Sequence, residues 1–151
     1  MGLVGIFYNR ALICAVIGWF AAQLLKVIFV LKLDKKIDIR RFVGTGGMPS
    51  SHSSFVMSLT AYTGLSEGFN STLFAVCFVI AFVVMYDAAG IRRAAGKQAE
   101  ILNQIIENWD ESPQIKGKRL KELLGHTPFE VIAGAAVGII VAVLFYFAFY
   151  H

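Results

Sequence analysis

Apolar residues are gathered in blocks along the chain. Ala11 to Leu33 is apolar apart from Gln23, Lys26 and Lys32, and Val131 to Tyr150 carries no charge. A hydrocarbon core about 30 Å thick is crossed by roughly 20 helical residues, so either run can span it. Ser53 to Leu65 and Ser71 to Tyr86 are two further apolar runs, joined by the turn-like stretch Ser66-Glu67-Gly68-Phe69-Asn70. The first of these is short for a full crossing. The pattern predicts an all-α protein, a polytopic membrane bundle of about four transmembrane helices in a single integral membrane domain. The spans are expected near 11–33, 53–66, 71–87 and 128–150.

One stretch has a different rhythm. Ile91, Ala95, Ala99, Leu102, Ile106 and Trp109 recur every three or four residues, with Lys97, Glu100, Gln104 and Glu107 between them. This spacing predicts an amphipathic helix near 91–109, continuing the third span or lying along the membrane interface. Asp110-Glu111-Ser112-Pro113 closes it.

Composition agrees with a membrane solvent. Hydrophobic residues make up 57% of the chain and charged residues 16%, where a soluble domain carries about a quarter charged. The first apolar run follows Arg10 but is long and lacks a small-residue cleavage site, so a retained helix is expected rather than a cleaved signal. Cys14 and Cys77 fall within predicted spans and are expected to be free and buried.

The net charge is +4, and its placement matters more than its size. Lys32, Lys35, Lys36, Arg40 and Arg41 follow the first span, and Arg92, Arg93, Lys97, Lys116, Lys118, Arg119 and Lys121 follow the third. With four spans both clusters share one side, which the positive-inside rule makes cytoplasmic. No recognised nucleic-acid module accompanies these cations, so membrane lipids rather than nucleic acid are the expected partners.

Three clusters can carry chemistry. Gly44-Thr45-Gly46-Gly47-Met48-Pro49-Ser50-Ser51-His52-Ser53 leads into the second span. Glycines such as Gly47 let backbone N–H groups face a ligand, and Ser50 or Ser51 would cap a helix whose N-terminus attracts anions. His52 would sit beside such an anion and pass it a proton. An ordinary Gly-Pro turn with a serine cap explains the same residues.

In Gly125-His126-Thr127-Pro128-Phe129-Glu130, the four-residue spacing lets Glu130 reach His126 and fix its tautomer. Thr127 to Glu130 is also a capping box, which would occupy the same carboxylate. The third cluster, Asp87-Ala88-Ala89-Gly90-Ile91-Arg92-Arg93, ends the third span; its arginines suit phosphate oxygens or lipid headgroups. Lys26, about two turns inside the first span, can reach the same membrane face. Two histidines among fixed cations suit phosphoryl transfer without a metal or other cofactor. The histidines, Glu130 and Asp87 lack the tight spacing of a zinc site, although Asp87 with Mg²⁺ stays open as a supporting role.

Pro49-Ser50-Ser51-His52 resembles the P-S-G-H motif of the type 2 phosphatidic acid phosphatase superfamily, which includes the vanadium haloperoxidases. Gly125 to Gly134 resembles its third motif, H-x3-D running into a glycine-bearing helix. The stretches 46–53, 85–98 and 123–134 look more specifically like its divergent, small bacterial and plant branch. The resemblance implies that His126 is the nucleophile, Glu130 its acidic partner and His52 the general acid. It also implies a lipid-linked phosphate as substrate and a place in the bacterial plasma membrane. No K-x6-R-P occurs, so Lys26, Arg40 and Arg41 are the candidates for the first motif's phosphate-binding role. Arg92 and Arg93 precede His126 by a long insertion.

The expectation is thus a membrane phosphatase acting through a phosphohistidine on a lipid phosphate or diphosphate. The rival class is a non-catalytic protein that binds or transports lipid phosphate with the same cations. A vanadate-dependent haloperoxidase is a third reading, disfavoured because a membrane-embedded cleft is a poor place to release hypohalous acid. Gly134 and Gly138 form a G-x-x-x-G pair, which serves either homo-oligomer formation or packing within one subunit.

Overall fold

A computed structural model describes residues 3–34, 47–108 and 126–149. A short 3-10 turn, Leu3–Tyr8, precedes helices Arg10–Asp34 (α1), Ser51–Glu67 (α2), Thr72–Ala89 (α3), Ile91–Asn108 (α4) and Pro128–Phe149 (α5). No strand occurs among the described residues. Three stretches are long and apolar enough to cross a membrane: Arg10–Phe29 in α1, Thr72–Ile106 over α3 and α4, and Pro128–Phe149 in α5. Their outward side chains include Phe20, Phe78, Phe82, Ile140 and Phe147, all exposed. Water would not tolerate so much contiguous apolar surface, and a bilayer solvates it.

Helix α2 is built on the opposite plan. At 17 residues it is shorter than the others that pack around it, and it lies at the centre, touching α1, α3 and α5. Its buried positions are mostly small and polar: Ser51, Ser53, Ser54, Ser58, Thr60 and Thr63, with Val56, Tyr62 and Gly64. A helix surrounded by other helices needs close approach and hydrogen bonds rather than an apolar coat.

The hydroxyls of α2 supply those bonds in every direction. Ser54 Oγ donates to the Gly18 carbonyl of α1 at 2.7 Å, and Ser58 Oγ to the Gly138 carbonyl of α5 at 3.1 Å. The single Thr60 hydroxyl proton lies between two carbonyls, that of Val56 at 2.7 Å in its own helix and that of Cys77 in α3 at 3.2 Å. Each such bond in a membrane bundle contributes about 0.6 kcal/mol. Both cysteines are free and buried in these seams.

Two glycines of α5 decide how closely α2 can approach. A Cβ on Gly138 would lie 2.5 Å from the Ser54 carbonyl oxygen, and one on Gly134 would overlap the Ser50 backbone. The G-x-x-x-G pair therefore packs inside the subunit.

At the end opposite the candidate chemistry, α2 runs on through Ser66 and Glu67, both expected in the turn, before Gly68 at φ 93° reverses the chain. Ser71 then caps α3, accepting from the Phe74 N–H at 3.1 Å. Between α3 and α4 only Gly90 intervenes. Its N–H donates to the Tyr86 carbonyl at 2.9 Å and its carbonyl accepts from Ala94 at 3.0 Å, so the helical bonding carries through. Among the described residues α4 touches α3 alone. Its Ile101, Leu102 and Ile105 are exposed, while Gly96 and Asn103 are buried.

Candidate functional site

Helices of alternating direction bring the C-terminal end of α1 and the N-terminal ends of α2 and α5 together. The join between α2 and α5 is made by backbone, since the Ser50 N–H donates to the Glu130 carbonyl at 3.0 Å. Gly134 allows that contact by leaving the Ser50 backbone room. The small residues that tie the bundle together thus also set the distance between the two motif-bearing helix starts.

The N-terminus of α2 is shaped by a glycine turn and a serine cap. Gly47, at φ 88°, turns the chain towards Pro49, a backbone conformation open to glycine at little cost. Ser50 is the N-cap, its Oγ accepting from the Ser53 N–H at 3.4 Å. The first N–H groups of a helix have no partner inside it and carry the positive end of its dipole. Ser53 Oγ is fully buried and has no hydrogen-bond partner among the described residues.

Into this helix start reaches Lys26, from within the apolar α1. Its side chain is only 5% exposed, and Nζ donates to Ser51 Oγ at 3.3 Å. A Cβ on Gly47 would meet the Lys26 stem at 4.0 Å. No ion pair to Lys26 forms among the described residues.

On α5, the two roles open to Glu130 hold together. Its Oε2 accepts from the Thr127 N–H at 2.9 Å, and its own N–H donates to Thr127 Oγ1 at 3.3 Å, a complete capping box. The same Oε2 lies 3.1 Å from His126 Nδ1. With the proton on Nδ1, donated to the carboxylate, Nε2 becomes the nitrogen with a lone pair. His126 is 4% exposed, whereas His52 is exposed. Their rings approach edge to face with centroids 6.2 Å apart.

The remaining sequence candidates are placed less closely. Asp87 is half-buried in the last turn of α3. Arg92 and Arg93 are fixed by their backbone in the first turn of α4, with side chains outside the described set. Arg40 and Arg41 lie outside the described residues altogether. Ser50, Ser51, His52, Gly47, Lys26, His126 and Glu130 are all found at this one end. Thr127 was legible as a capping residue and Gly134 and Gly138 as a packing pair, but sequence reasoning overlooked Gly18, which makes room for the serines of α2. Its signal lay in the small residues of α1 that face the serines of α2.

No solved structure matches the chain. An uncharacterized membrane protein of Bacillus subtilis (strain 168), YuiD, is 38% identical over 151 residues, covering 92% of this chain and 96% of the relative. Residues 7–141 match the model of the divergent PAP2 family, a stretch that takes in α1 to α4 and most of α5. The chain is a membrane protein of the divergent PAP2 family.

Proposed function

We propose that the protein is a membrane phosphatase that hydrolyses a lipid-linked monophosphate or diphosphate through a phosphohistidine at His126. The observation that carries this reading is the pairing of a buried, carboxylate-held histidine with an exposed one, 6.2 Å apart, beside a buried lysine at a helix start. Buried cations without ion-pair partners are costly in a membrane protein and are usually retained for an anion.

The steps follow from the chemistry of each group. The terminal phosphoryl oxygens rest against the Lys26 ammonium and the first N–H groups of α2, with Arg92 and Arg93 as further candidates. Nε2 of His126 attacks phosphorus, and the bond to the leaving oxygen breaks on the opposite side. His52 donates its proton to that oxygen, releasing the alcohol or the shorter phosphate. Glu130 stabilises the positive charge that grows on the His126 ring. Water then attacks the phosphohistidine, giving its proton to His52, and inorganic phosphate leaves with both histidines restored. The lipid part extends from the His52 side, where the site is open. Four spans, with α4 along the interface and the site on the cytoplasmic face of the plasma membrane, complete the reading.

Purified protein in detergent, supplied with a panel of lipid monophosphates and diphosphates in the presence of a chelator, is expected to release inorganic phosphate from at least one. Saturable binding of every lipid without release would instead support the non-catalytic class.

A further inference from the structure

The Ser51 side chain is the feature of the site that the phosphatase reading leaves without a task. In the P-S-G-H motif that Pro49 to His52 resembles, this position is glycine, so the hydroxyl is an addition. It is 4% exposed and receives the only hydrogen bond that Lys26 makes among the described residues. The direction of that bond is fixed, because an ammonium has donors and no acceptor. Ser51 Oγ therefore accepts, and its own proton is left to point elsewhere.

Two features decide where. Ser51 is the first residue of α2, so its backbone N–H lies among the unbonded donors of the helix start. Glu130, the acidic residue at the start of α5, already uses Oε2 for the Thr127 N–H and His126. The Lys26 charge is thus held by a neutral hydroxyl at a point where an anion would also meet a backbone N–H. A hydroxyl that accepts from a cation becomes a stronger donor through its own proton.

We infer that Ser51 is a positioning residue, holding the Lys26 ammonium at the start of α2 and donating its own hydroxyl proton to a phosphoryl oxygen. The inference rests on the phosphatase reading and deepens it. The ligand group is a dianionic terminal phosphoryl, whether free phosphate or the end of a lipid phosphate. Lys26 then acts on it both directly and through Ser51.

The test is a double-mutant cycle of Ser51→Ala and Lys26→Met in the full chain, read by calorimetric titration with inorganic phosphate carried to high concentration. Lipid-phosphate hydrolysis is assayed in parallel, to separate free phosphate from the lipid-borne group. Removing one hydrogen bond to a charged group weakens binding by about tenfold or more, so Ser51→Ala is expected to lose that much. Ser51→Gly is expected to lose the same, assigning the effect to the hydroxyl. In the Lys26→Met background Ser51→Ala should cost clearly less than in wild type, because the hydroxyl is no longer strengthened as a donor by the ammonium, a coupling that a merely structural serine would not produce. Wild-type affinity in Ser51→Ala, or a full loss that persists beside Lys26→Met, would overturn the inference while leaving the phosphatase reading standing. A wild-type protein that neither binds phosphate nor hydrolyses any lipid phosphate would overturn both.

Discussion

Replacing His126 by alanine is expected to abolish phosphate release while leaving the folded bundle intact. The loss should be roughly a thousandfold or greater, the scale seen when a nucleophile or its base is removed from a concerted set. The expectation comes from where the imidazole sits. It is buried, its Nδ1 is held 3.1 Å from Glu130 Oε2, and its ring centroid lies 6.2 Å from that of His52. The fold should survive because the imidazole lies just before the helix, and Thr127 and Glu130 still close the capping box without it. Circular dichroism and detergent stability of the variant should match wild type. Equal phosphate release by both proteins would remove His126 from the mechanism.

The second large effect is structural. Gly134→Ala is expected to destabilise the bundle by about 3 kcal/mol, the upper part of the range for overpacked cores, and to suppress activity with it. The added Cβ would overlap the Ser50 backbone, and backbone cannot swing aside as a flexible side chain can. Moving Ser50 stretches its bond to the Glu130 carbonyl and draws α2 away from α5. His52 and His126 ride on those two helix starts, so their spacing changes as well. Gly5→Ala, whose Cβ meets nothing within 4 Å, serves as the neutral control. Unfolding in mixed detergent, monitored alongside activity, should separate the two glycines. A Gly134→Ala protein as stable and active as wild type would show that α2 and α5 do not pack at this distance.

Much of the architecture was legible in the apolar runs, since Ala11 to Leu33 and Val131 to Tyr150 can be little else than long apolar helices. The helical stretch Ile91–Asn108 was legible in its periodicity, but not its sparse contacts, because periodicity reports a face and not what covers it. The central place of α2 was harder to see. Its short length and serines read as a weak span, whereas they mark a helix that touches other helices and binds them through hydroxyls. That distinction depends on partners such as Gly18, Gly138 and Cys77, all distant in sequence.

The candidate site was legible as residue types, and its joinery was not. Spacing alone set Glu130 as capping group against Glu130 as histidine partner. One oxygen serves both because a glutamate three residues into a helix is long enough to turn back on its first turn. Lys26 was expected to reach the membrane face that carries both histidines, and its ammonium lies at that end. Its buried seat against Ser51 was not legible, because it depends on a hydroxyl brought to it by another helix.

The most direct measurement is to find which atom carries the phosphoryl group during turnover. Purified protein would be mixed with a labelled lipid phosphate that it hydrolyses, quenched within the first turnover in alkali, and the phosphopeptide mapped by mass spectrometry. The expected result is an acid-labile phosphoryl group on His126, absent from the His126→Ala protein. A phosphoryl group on Ser50, Ser51 or any other residue, or turnover with no phosphoprotein at all, would contradict the assignment of His126 as nucleophile.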